Sequence, residues 1–148
     1  MKYFFLTLSV LTLNTAFAEI DFAKIEGSWS IKCTQSQVGG KQGHVTETYT
    51  FTPAKEYKFT RNWFKKSDCE GTPFEKDTEA GKVKIGKENT NNGFNPAETY
   101  EADFTIGETT DLGLMWVNSE NTKLRITRGL GMGSRNTMLS LFEFTKSK

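Results

Sequence analysis

The chain has 148 residues, 19 of them basic and 18 acidic, with a single His and two Cys. So even a charge balance argues against a nucleic-acid partner or a membrane surface held by charge. So little His and Cys excludes a His/Cys-rich metal centre, and no metal or other cofactor is expected.

The first predicted element is a leader. Met1 and Lys2, the apolar run Tyr3 to Leu13 and the small-x-small ending Ala16-Phe17-Ala18 read as a secretory signal peptide. Residues 1–18 are then expected to be removed, leaving 19–148 as one domain in the periplasm or outside the cell. The run is too short to cross a bilayer, and no later stretch approaches the ~20 apolar residues that a span needs. The residue directly after the cleavage site is Glu19 and not Cys, which argues against a lipid anchor. A mature domain of this size buries a real core.

The rest reads as strand after strand. Ile20 to Ile25 suggests one helical turn. Gly27 to Cys33 alternates, with Trp29, Ile31 and Cys33 on one face. After a Gly/Gln/Lys loop (Gln37 to Gly43), Val45 to Thr52 alternates again, and Pro53 to Lys55 turns the chain. Tyr57 to Trp63 places Tyr57, Phe59, Arg61 and Trp63 on one face. Asp68 to Pro73 reads as a loop, Phe74 to Thr78 as a short strand, Ala80-Gly81 as a turn and Lys82 to Gly86 as a strand. Lys87 to Ala97 is the longest polar connection. Tyr100 to Ile106 alternates cleanly, and Leu112 to Val117 is apolar enough for burial on both faces. Thr122 to Thr127, a Gly-rich loop (Gly129 to Ser134) and Met138 to Phe144 complete the chain. Eight to nine short strands at near-regular spacing predict an all-β fold, a single up-and-down antiparallel barrel whose closure removes strand edges.

Cys33 and Cys69 are the only pair, and an exported chain favours a disulfide between them.

The first strand carries Gly27-Ser28-Trp29 near the start of the mature domain, after the lead-in Asp21 to Glu26. This Gly-x-Trp signature resembles that of the lipocalins. The segment Phe59 to Gly86 is similar to small bacterial lipocalin-like domains, with an aromatic strand, Asp68-Cys69, a Pro and a Gly-x-Val-x-Ile-Gly strand. The family's middle motif leaves only fragments, Ser67-Asp68 and Thr110-Asp111. The resemblance implies an eight-stranded barrel with an apolar interior for a small hydrophobic ligand. It also implies structural roles for Gly27 and Trp29, with a late-strand Arg over the Trp ring. Arg128, in parity with Leu124 and Ile126, is the residue in place to reach Trp29 by a cation–π contact.

Candidate site residues follow from the same faces. Arg61 is the one charge among Tyr57, Phe59 and Trp63. Either its guanidinium points inward to pair with an acidic head group, or a bulge near Asn62 turns it to solvent. Tyr49, Phe51, Tyr57, Phe59, Trp63, Tyr100, Phe104 and Trp116 either line a cavity or fill a small barrel solid. His44 reads as a solvated loop residue, with no nucleophile elbow or triad signature to recruit it. Gly129 to Gly133 lacks the Lys-Ser/Thr ending of a phosphate loop. No catalytic residue is expected. The function expected is an exported, non-enzymatic binding protein for a small hydrophobic or amphipathic molecule. The alternative is a protein-binding module, an inhibitor or envelope-interaction protein on a filled barrel whose loops make the contacts.

Overall fold

The computed structural model describes residues 20–38, 40–88, 95–129, 135 and 138–147, and the expected leader lies outside them. Eight antiparallel strands close into one up-and-down barrel. They are β1 (Gly27–Val38), β2 (Lys41–Phe51), β3 (Glu56–Phe64), β4 (Glu75–Glu88), β5 (Thr99–Ile106), β6 (Thr109–Val117), β7 (Lys123–Thr127) and β8 (Phe144–Lys146). Each pairs with its sequence neighbours, and β8 returns to β1. Among the described residues, no helix is long and apolar enough to cross a membrane.

The strand count settles at eight because the segments read as Phe74–Thr78 and Lys82–Gly86 are one strand. The β3–β4 register runs unbroken from Trp63↔Glu75 to Glu56↔Lys82, so Ala80-Gly81 is not a turn. Gly81 instead admits a close approach of β5, since a Cβ there would lie 2.1 Å from the Thr105 carbonyl oxygen. Glycines at such points let a sheet bend into a barrel. Gly81→Ala should therefore destabilise the fold by about 1–3 kcal/mol, the usual cost of overpacking. Gly86→Ala is the control, because its nearest obstacle is a side-chain carbon at 3.4 Å. Equal unfolding midpoints for the two variants in urea would contradict the close approach.

Two other boundaries differ from expectation. The loop read at Gln37–Gly43 is mostly strand, because β1 and β2 join in a tight hairpin, and His44 sits in β2 opposite Gln35 and Phe64. The last strand is short. Amides along Met138–Glu143 are taken by side chains instead of a ladder: Leu139 N–H donates to Asn95 Oδ1, Ser140 N–H to Thr127 Oγ1 and Phe142 N–H to Ser140 Oγ. Glu143 pairs with Lys123 (2.8 Å) and Arg125 (3.3 Å), and the hydrogen bond from Lys123 lowers its pKa below the usual carboxylate value. A lowered carboxylate pKa stabilises the fold above the unfolded value and loses that effect as pH falls through the folded one. The stability difference between the unmodified chain and Glu143→Gln, measured in urea, should thus shrink as pH drops below the carboxylate range. A difference that grows on acidification would contradict the pairing.

The core is apolar and aromatic where β1 begins. A single 3-10 turn (Phe22–Lys24), capped by Asp21 Oδ1 accepting from Ala23 N–H, leads into Gly27 at φ +107°. That conformation suits glycine, and it sets Trp29 fully buried with its indole N–H donating to the Ile25 carbonyl at 2.6 Å. The cation over the Trp29 ring is Lys146 of β8, with Nζ at 5.1 Å, and not Arg128 as the parity had suggested. Arg128 turns into the barrel instead, drawn by two carboxylates described below. Around Trp29, whose register partner is Tyr49, the interior is filled by rings: Tyr49 stacks on Phe51 at 5.8 Å and meets Phe59 at 4.7 Å, while Tyr57 meets Phe104 edge-on at 5.1 Å. β6 is buried on its inner face and covered on its outer face around Leu114, with Leu112 and Trp116 half-buried. Leu114 is wholly buried on the outer side, where Arg135 donates to the Gly113 carbonyl and to Asp103.

The Cys33–Cys69 disulfide is present and ties β1 to the loop between β3 and β4 across 36 positions. Such a closure restricts the unfolded chain by roughly 3–4 kcal/mol on the chain-entropy model. Reduction should lower the unfolding free energy by that order, seen as a lower midpoint in urea, and leave the folded circular dichroism spectrum unchanged. Ready labelling of both thiols in unreduced protein would contradict the bond.

Candidate functional site

The site grows from three strands whose inward residues change from apolar to charged toward one end. β2 turns Tyr49 and then Glu47 inward, β3 turns Phe59 and then Arg61, and β4 turns Glu79 and then Asp77. The registers align them in rows, Tyr49↔Phe59↔Glu79 and Glu47↔Arg61↔Asp77. The register is unbroken through Arg61, so no bulge turns it out, and it keeps the face of Phe59 and Trp63. Its Nε donates to Glu47 Oε1 at 2.6 Å, and its guanidinium lies 5.3 Å from the Phe59 ring and 5.7 Å from the Trp63 ring. Both partners are largely buried, with side chains 19% and 16% exposed. Trp63 caps this layer, its indole donating to Asp77 Oδ2 at 2.7 Å, while Lys41 bridges Glu75 and Asp77 above it.

One layer down, Arg128 follows the end of β7 and enters the barrel between Glu79 and Asp111, pairing with both. Its guanidinium lies 5.8 Å from the Tyr57 ring and 5.3 Å from the Phe104 ring. Tyr57 OH donates to Glu79 Oε1 at 2.6 Å. Burial works against the Arg128 charge, but the Tyr49 and Tyr57 hydroxyls and Glu79 more than offset it and raise its pKa. Burial also pushes both tyrosines upward, so both hydroxyls stay protonated, and that of Tyr57 is the donor to Glu79.

Beside and above these layers is a cavity of about 690 Å³. Its walls are the aromatic pair Tyr49 and Phe59, the charged groups Glu47, Arg61, Asp77, Glu79 and Arg128, and the chain on either side of the barrel seam. One side of that seam is Gln35 to Val38 of β1; the other is Ile126, Thr127, Ser140, Phe142 and Phe144. The lining holds three carboxylates against two guanidinium groups, a net negative wall. A second hollow of about 820 Å³ lies by the β2–β3 and β5–β6 turns, walled mainly by Thr, Lys and backbone.

The residues singled out from sequence divide into three groups. Tyr49, Phe59 and Arg61 line the cavity. Tyr57, Phe51, Phe104 and Tyr100 pack in the core beneath it, and Trp63 is buried beside it. Trp116 is a correction: its neighbours Met115 and Val117 take the inward positions, so Trp116 faces outward under the Arg125 guanidinium at 5.4 Å. The carboxylates of the wall were missed, although Glu47 shares the parity of Tyr49 and Phe51. The imagined turn at Ala80-Gly81 hid the parity of Asp77 and Glu79 with Val83 and Ile85. Compared with known proteins, the chain matches no family model, no curated protein and no solved structure.

Proposed function

We propose that the chain is a non-catalytic binding protein, lipocalin-like in type and exported, that holds an amphipathic molecule in the mouth of its barrel. The observation that carries this reading is the cavity of about 690 Å³ with aromatic and charged walls on a rigid, ring-filled base. Sites of this size, with an apolar floor and a few convergent polar groups, are where proteins hold small ligands. The disulfide and the Gly27–Trp29 plug are in keeping with an exported, lipocalin-like domain. The ligand's apolar part would lie on Tyr49, Phe59, Ile126 and Phe144.

The wall changes the head group from the one the sequence suggested. Arg61 already has Glu47 at 2.6 Å, so a ligand carboxylate must compete with it, whereas a cation meets three lining carboxylates against two guanidinium groups, among them Asp77, whose cation Lys41 stands at 3.7 Å, and ring faces that favour it. Octylamine should therefore bind more tightly than octanol or octanoate, by about one decade, the worth of one charge-assisted hydrogen bond. Arg61→Met removes a positive charge from the wall, so it should strengthen amine binding and leave octanol unchanged. Quenching or enhancement of Trp63 fluorescence would report each titration. Tightest binding of octanoate, lost in Arg61→Met, would return the acidic head group. No binding of any of the three would remove the cavity as a ligand site.

A further inference from the structure

The barrel closes unevenly, and its open stretch has a chemistry of its own. β1 is 12 residues long and β8 is 3. β8 reaches β1 only at Trp29↔Lys146 and Ser30↔Thr145, with Ser147 N–H donating to the Ser28 carbonyl. From Ile31 to Val38, β1 pairs with β2 alone among the described residues. β7 is similar, since β8 meets it only at Lys123 and Leu124. Among the described residues the seam therefore parts above Ser30, with the edge of β1 on one side and Ile126 to Arg128 on the other, and the cavity lies in the parting.

We infer that the parted seam between β1 and β7 is a strand-addition site that takes an extended segment of another polypeptide. This rests on the mouth being a binding site and names a macromolecular class of occupant for it. The edge itself selects that class. Past the register shift between Ile31 and Thr34, the edge from Thr34 to Val38 is about 17 Å long at strand spacing, and it offers alternating N–H and C=O groups that only another backbone matches along its length. Side chains of an added strand alternate, so every second one enters the cavity against Tyr49, Phe59 and Phe144, while the rest face outward. Val38 at 41% exposed, Phe142 at 54% and Leu141 at 89% supply apolar surface around the parting. The excess carboxylate of the wall favours a Lys or Arg over an Asp or Glu among the inward side chains.

The test starts from a random nine-residue peptide library selected on the intact, oxidised protein. Selected peptides are remade with single backbone N-methyl groups at each position in turn. Strand addition predicts an alternating result. N-methylation at residues facing β1 weakens binding by roughly tenfold or more, because a hydrogen bond is lost and the approach is blocked, and at intervening residues it changes little. Amides of Gln35 to Val38 should gain protection from hydrogen exchange on binding. A helical pattern, uniform tolerance of N-methylation, or protection elsewhere with none at Gln35 to Val38 would overturn the inference, as would a selection that yields no binder. The octylamine titration is independent of backbone pairing. Its success alongside a failed peptide test keeps the cavity and discards strand addition, and its failure discards the small-ligand reading alone.

Discussion

Arg128→Met should destabilise the barrel by about 3–5 kcal/mol, the cost of breaking a buried ion pair by removing one partner. Arg128 has a side chain only 10% exposed and holds together Glu79 and Asp111, which lie on strands that are not neighbours. Without it, two carboxylates face each other inside the barrel beneath the cavity. Adding Glu79→Gln and Asp111→Asn removes those charges, and the triple variant should regain most of the loss. This pattern distinguishes uncompensated charge from lost packing, since Met keeps much of the Arg stem. Urea unfolding of the single and triple variants measures both quantities. A single variant within about 1 kcal/mol of the unmodified chain would mean that the network is not a stabilising clamp.

Trp29→Ala carries a comparable loss, about 3–5 kcal/mol, the range for deleting a large buried aromatic. The indole is fully buried, bonded to the Ile25 carbonyl and covered by Lys146. Its removal opens a void where β1, β2 and β8 meet. Lys146→Ala should cost much less, because a cation–π contact contributes roughly 0.5–2 kcal/mol. The double variant should be less destabilised than the sum of the singles, since the two side chains touch. The same cycle with Arg128→Met should come out additive. Coupling of Trp29 to Arg128 instead would contradict the placement of both cations.

The all-β architecture was legible because alternation survives in most of the strands: Trp29 and Ile31, Tyr57 to Trp63, and Tyr100 to Phe104 all point where parity placed them. The disulfide was legible from two Cys in a chain with a leader-like start. What escaped was set by local chemistry that parity ignores. Gly81 looked like a turn because glycine marks turns as often as close strand approaches, and that misreading hid Asp77 and Glu79 from the interior face. β1 carries a register shift between Ile31 and Thr34, so the face of Cys33 could not be followed past it by counting. Trp116 was placed inside because every residue from Leu114 to Val117 is apolar, and a strand covered on both faces gives no alternation to follow. Arg128 was aimed at Trp29 by analogy, while its true partners, Glu79 and Asp111, are 49 and 17 positions away in sequence. Met138 to Glu143 has strand composition but spends its amides on side chains, an outcome fixed only by the surrounding fold.

The proposed function requires a barrel that is solid at the Trp29 end and receptive at the Arg61 end. Amide and indole correlation spectra of the isotope-labelled, oxidised protein, titrated with octylamine, test it most directly. Shifts should gather on Tyr49, Phe59, Arg61 and Thr127 and on the Trp63 indole, with the Trp29 and Trp116 indoles unmoved. Shifts centred on Trp29 or Trp116, or no saturable shift at all, would contradict it.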